Sequence, residues 1–224
     1  AAATQFAFTH DATVPTASAV TIAVSGTGNA NHGDVVTLTI DPSEAIAAPT
    51  CTWTDGSGAM ADTSVTYATV EGTDHHTAAV TVDDADQDGT VGFSCTFSDL
   101  AGNAVASAVT SLTSGSAITI DNTHPTISSV SAAWGSHLNA AEDNADKTIT
   151  VQTSGAEDGQ TVTTTINGVS DTCSVSSNTC DVTYAASDMA NLVSGTSYTI
   201  AVDVSDAAGN AATQNTGTSF IYDP

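Results

Sequence analysis

Basic residues are almost absent. Lys147 is the only Lys or Arg among 224 residues, against 25 Asp and Glu, and the formal net charge is −24. Such a chain offers nothing to nucleic acid or an anionic membrane, both of which are held by Lys and Arg. It also repels itself unless salt screens the carboxylates or divalent cations neutralise them locally, which points to a saline, marine or calcium-rich exterior. Aromatics are scarce too, at 5%. Binding hot spots favour aromatic anchors, and the two candidates for exposed anchors, Trp134 and Tyr222, are not clustered in sequence. A binding module recognising glycan or protein is therefore the alternative rather than the first expectation. No apolar run approaches a membrane span, and no basic-then-apolar stretch of leader type is found among these residues. Leu and the charged helix formers are few, whereas Val, Ile, Thr, Ala and Ser alternate, so the class is all-β. No Ser-His-Asp order, phosphate-binding glycine loop or catalytic carboxylate pair stands out, and the six histidines match no zinc spacing. An enzyme is not expected.

What is present is repetition. Asp11-Ala-Thr-Val-Pro15-Thr16 and Asp121-Asn-Thr-His-Pro125-Thr126 share one formula, each after a short apolar stretch, and Phe220-Ile-Tyr-Asp223 stands at the equivalent point. Ser98-Asp99-Leu-Ala-Gly102-Asn103 and Ser205-Asp206-Ala-Ala-Gly209-Asn210 repeat in step, 107 residues apart. The spacing matches the ~100 residues of an immunoglobulin-type sandwich. Residues 15–121 and 122–224 read as two such domains. Residues 1–14 read as a surplus N-terminal strand and linker, since Ala2-Ala-Thr-Gln5 recurs as Ala211-Ala-Thr-Gln214 in the final strand region. That strand, with Phe6 and Phe8, is either a donor for another copy or the end of a preceding repeat.

Turn residues divide each domain into seven short strands. The last strand of the first domain is expected over Val109 to Ile120, and Asn167-Gly168 predicts a hairpin turn in the second. A short helical turn is expected over Ala185 to Leu192, with Ser187 and Asp188 as capping residues. Four cysteines without metal spacing read as two disulfides of an oxidising compartment. Three pairings are open. Cys173 and Cys180 flank a turn and can close a hairpin, while Cys51 and Cys95 lie in two strands and would close a loop of ~45 residues, contributing ~3–4 kcal/mol.

The linkers, the Ser-Asp-x-Ala-Gly-Asn turns, Asp34-Val-Val-Thr-Leu-Thr-Ile40 and the run from Ser154 to Gly168 together resemble bacterial immunoglobulin-like repeats of large secreted adhesins and surface proteins. The resemblance implies tandem antiparallel sandwiches in an extracellular or cell-surface assembly such as a filament, S-layer or adhesin stalk, often with calcium at the junctions. Cysteines depart from the usual pattern of such repeats.

Asp83-Asp84-Ala-Asp86-Gln-Asp88-Gly89 is the sharpest cation candidate, because alternate carboxylates about a glycine turn suit a hard ion. Cys95 stands where the bidentate Glu of a twelve-residue calcium loop would be, so this is not a complete EF-hand. In a sandwich of this topology Asp84, Asp86 and Asp88 lie at the exit end, near Asp121 and, across the junction, Glu157, Asp158, Asp206 and Asn210. Calcium is the expected cofactor there. For Asp99 and Asp206 turn chemistry is a sufficient alternative. Expected partners are adjacent repeats, or copies of the same chain joined head-to-tail.

Overall fold

The computed structural model describes residues 10–70, 74–142 and 144–224. Phe6 and Phe8 lie outside the described residues. The chain divides into two compact units, Ala1–Asn122 and Thr123–Pro224, each with its own core.

The first unit contains β1 (Ala17–Val24), β2 (Val35–Pro42), β3 (Thr50–Thr54), β4 (Thr66–Thr69), β5 (His76–Thr81), β6 (Gly89–Thr90), β7 (Gly92–Thr96) and β8 (Thr119–Ile120). An antiparallel sheet in the order β1-β2-β5-β4 accompanies the pair β3-β7, and β6 pairs with β8. The alternation of β2 shows why. Val36, Leu38 and Ile40 are fully buried, while Thr37 and Thr39 between them are half-exposed. Trp53, Phe93, Cys95 and Phe97 belong to the same core, with the Trp53 and Phe93 rings 6.3 Å apart. Cys51 and Cys95 face each other directly across β3 and β7 and are disulfide-bonded.

The last strand of this unit is not the continuous one that its β-rich sequence predicts. Val105 N donates to Phe97 O, Val109 exchanges both backbone bonds with Cys95, and Val91 N donates to Ile118 O. Between the Val109 and Ile118 rungs the chain spends eight residues where β7 needs only three. The surplus leaves the ladder: Thr113 N donates to Val20 O at 3.0 Å, and Val20 N donates to Thr113 Oγ1 at 2.8 Å. One segment thus serves two sheets and covers the edge of β1, where unpaired backbone would invite association.

The second unit contains β9 (Thr126–Ala132), β10 (His137–Asn139), β11 (Lys147–Ser154), β12 (Thr161–Ile166), β13 (Val169–Ser174), β14 (Thr179–Tyr184), a 3₁₀ turn (Ala186–Met189), β15 (Thr196–Val204) and β16 (Asn215–Asp223). Its sheets run β10-β16-β15-β12-β13 and β14-β11-β9, antiparallel except for the short β10–β16 pair. Asn167 and Gly168 take φ of 47° and 80°, the two positive values that a tight β12–β13 hairpin requires. Cys173 and Cys180 form the second disulfide. The 3₁₀ turn is capped at Ala185, whose N–H donates to Asp188 Oδ2. Trp134 and Tyr222, expected as exposed anchors, are each only 8% exposed. Trp134 meets Phe220 edge-on with centroids 5.3 Å apart, because the β16 strand turns that face into the core.

Candidate metal centre

Among the described residues, one group of acidic side chains converges tightly enough to hold a metal ion: Asp11, Glu44 and Asp99, with carboxylate oxygens within 4.8 Å of one another. Three separate segments of the first unit bring them there. Asp11 belongs to the linker that leads into β1, Glu44 follows β2, and Asp99 opens the turn after β7.

Asp99 is held rigidly. Its Oδ1 accepts Asn103 N at 2.7 Å, and its Oδ2 accepts Asn103 Nδ2 at 2.7 Å. Asn103 also donates to Asp11 O at 3.2 Å, which ties the linker to the turn. The Asn103 side chain, opposed by burial and aided by backbone amides of the turn, holds Asp99 below the usual carboxylate range. Glu44 is the opposite case. Enclosure pushes its pKa up, and the charges of Asp11 and Asp99 push it further. Glu44 Oε1 is sealed from solvent with no hydrogen-bond donor. A glutamate with one oxygen buried and without a donor, clustered with two other carboxylates, lacks a positive partner, and a hard cation coordinated by oxygens supplies one. The donor set, three carboxylates, fits a hard cation such as calcium.

The residues expected from sequence are distributed otherwise. Asp86 is 2% exposed, and its two oxygens accept Ala61 N at 2.6 Å and Asp83 N at 2.9 Å. Asp88 Oδ1 accepts Asn122 N at 2.6 Å, and Asn122 Nδ2 donates to the carbonyls of Asp83 and Asp86. Asp84 is exposed and lies 3.3 Å from His32 Nδ1. These carboxylates organise the loop and the chain leaving it, and they do not converge as Asp11, Glu44 and Asp99 do. Asp121 lies in the first unit, where its N–H donates to Ala30 O.

In the second unit Asp206 Oδ1 accepts Gly209 N and Asn210 N, each at 2.8 Å, and Oδ2 accepts Asn210 Nδ2 at 2.9 Å. This is the Asp99–Asn103 arrangement again. Glu157 Oε2 accepts Ala207 N at 2.8 Å and so meets the turn that carries Asp206, whereas Asp158 is directed to Ser177 N at 2.7 Å. The set Asp11, Glu44 and Asp99 is missed by reading acidic runs. The signal for part of it is the repeat: Asp11 and Asp99 stand in the linker and turn formulas that recur at Asp121 and Asp206.

Two adhesins are similar in structure to this chain. One is a Ca²⁺-stabilised adhesin with which an Antarctic bacterium reaches out and binds ice, at 24% identity and a TM-score of 0.54, covering 93% of this chain and 49% of that one. The other is a 1.5-MDa bacterial ice-binding adhesin, at 22% identity and a TM-score of 0.50, covering 91% of this chain and 63% of that one. The chain spans about half the length of the first and less than two thirds of the second. At these identities the likeness is one of fold alone, that of immunoglobulin-like domains. No family model and no curated protein matches the chain.

Proposed function

We propose that the chain is an extracellular structural module of the adhesin-stalk or surface-filament type, whose linker is pinned by calcium. The observation that carries this reading is Glu44 Oε1, buried without a donor against Asp11 and Asp99. Calcium held by these three residues ties the linker to the two loops that follow β2 and β7. It converts a segment otherwise held by Asn103 and a few backbone bonds into a fixed strut. The fold shared with a Ca²⁺-stabilised adhesin supports the same reading, as do the two disulfides, which belong to an oxidising exterior. The charge of −24 keeps such a module soluble in salt and lets divalent ions gather on it.

The role is mechanical rather than chemical. Adjacent repeats are its partners. Glu157, Asp158, Asp206 and Asn210 of the second unit are a second proposed calcium set, supported by the Glu157 contact with the turn that carries Asp206, while Asp121 and the loop residues Asp84, Asp86 and Asp88 are proposed as weaker, exchangeable calcium ligands of the first unit. Head-to-tail joining of copies through Phe6 and Phe8 is the finer form of the proposal. It is favoured by Phe8 standing three residues before the linker Asp, as Phe220 does, and Phe220 is an anchor of the second core. Thermal unfolding in millimolar calcium and in EGTA tests the main reading. A higher first-unit transition in calcium is expected, and identical curves would reject calcium pinning.

A further inference from the structure

β1 is an edge strand, paired along one side with β2. The amide and carbonyl of Val20 point to its other side, where they meet Thr113. Successive residues of an antiparallel strand point their backbone groups to alternate sides, so those of Ile22 and Val24 share the side of Val20. The cover does not extend to them. Among the described residues, no backbone bond reaches Ile22 or Val24 from that side. Two open rungs therefore remain at the far end of β1, a template for one more strand. Ile22 also forms a wall of an open cleft of about 390 Å³, with Val91, Phe93, Leu112 and Ala117. No charged residue lines it.

From this we infer that the β1 edge at Ile22 and Val24, with its cleft, is the acceptor for a strand donated by a second copy of the chain, the segment Gln5–Thr9. The inference rests on the head-to-tail form of the proposed function and assigns the acceptor that it needs. Backbone bonds along such an edge supply affinity, and a pocket for alternate side chains supplies specificity. The open rungs stand two residues apart, as do Phe6 and Phe8, so both rings fall on the core-facing side of the added strand. One of them enters the cleft. Charge selects this segment: residues 1–9 carry no charged side chain, whereas two copies of a chain at −24 repel each other elsewhere. An uncharged strand in an uncharged cleft avoids that repulsion. Reach makes the donor a second copy. Thr16 and Ser43 bond each other, and Asp11 clusters with Glu44 beside Ser43, so the linker sits at the Ala17 end of β1. Phe8 stands three residues before Asp11, a span of at most ~11 Å, while Ile22 lies ~17 Å along β1 from Ala17. The resulting contact is heterologous and propagates.

The test is sedimentation velocity of the intact chain up to about 1 mM, which covers a small, weak interface, with a complementing pair of variants. Phe6→Asp with Phe8→Asp removes the donor. Thr110→Glu with Ala117→Glu, both at exposed positions on the cleft wall, closes the acceptor by charge and leaves the core untouched. The parent should form oligomers that grow with concentration, and each double variant alone should associate at least tenfold more weakly. An equimolar mixture of the two, unfolded and refolded together, should give a 1:1 dimer and nothing longer, since one intact donor then meets one intact acceptor. If the cleft-wall double variant does not fold, Ala117→Glu alone takes its place. A folded cleft-wall variant that associates like the parent, while the donor variant does not, overturns the acceptor and leaves head-to-tail joining standing. A mixture that stays monomeric also overturns the acceptor. A parent that stays monomeric, or a donor variant that associates like the parent, overturns head-to-tail joining itself and the inference with it.

Discussion

Glu44 and Asp99 hold carboxylate oxygens within 4.8 Å of each other, and one oxygen of Glu44 has neither solvent nor a donor. Asp99 is fixed by Asn103, so the repulsion falls on Glu44. Replacing Glu44 by Gln removes a repelled charge and a ligand together. In EGTA, Glu44→Gln should be as stable as the parent or more so. In calcium at about a hundred times its dissociation constant, the parent should gain ~2.7 kcal/mol, raising the first transition by roughly 10–15 °C, and the variant should not. Calorimetric scans in the two buffers read this crossing of order directly.

Acid should destabilise the first unit through two carboxylates outside the metal centre. Asp55 is lowered to about 2, chiefly by the amide of Gln87 against the cost of burial, with Ser57 and Gly58 adding to it. Asp62 is lowered by the amides of Ser64 and Thr81, again against burial. Depressed folded-state pKa values mean that the unfolded chain takes up protons first. The stability they contribute is present above about pH 4 and is lost as pH falls toward 2. Urea midpoints measured in EGTA between pH 7 and pH 2.5 should fall mainly below pH 4, and Asp55→Asn should flatten that fall.

Gly56 lies against the Asp83–Asp88 loop so closely that a Cβ there would sit 2.1 Å from Asp88 O, a backbone atom. Gly56→Ala should therefore cost roughly 2–3 kcal/mol, seen as a lower urea midpoint of the first unit with the second unchanged.

The two disulfides should differ in worth. Cys51–Cys95 spans 44 residues and Cys173–Cys180 spans 7. Chain entropy gives about 4 and about 2.5 kcal/mol respectively, and the first loses two buried cysteines from its core where the second loses one when both partners become Ala. Denaturant unfolding of the two double variants should show the larger loss for Cys51→Ala with Cys95→Ala.

The strands were legible because alternation is local: Val36, Leu38 and Ile40 announce their face by period alone, and Asn167-Gly168 announces its turn. The split path of residues 110–117 was not, because nothing in a Thr- and Ser-rich run says which of two sheet edges it will cover. The burial of Trp134 was illegible for a similar reason. Its loop reads as acidic and exposed, and only the Phe220 ring and the β10–β16 pair turn it inward. Turn chemistry at Asp206 was readable from Asp-x-x-Gly-Asn, and the structure shows it in full. The metal centre was half-readable. Acidic density drew attention to Asp84, Asp86 and Asp88, which sit within one loop, whereas convergence belongs to three residues scattered over almost ninety positions. Density along a chain does not measure proximity in a fold.

The central claim is that calcium occupies the space among Asp11, Glu44 and Asp99. Its most direct test is isothermal titration of calcium into the intact chain and into Glu44→Gln at pH 7 and physiological ionic strength. The account predicts saturable binding to the parent and the loss of one site, or at least a tenfold weakening of it, in the variant. Equal binding isotherms for the two proteins would contradict it.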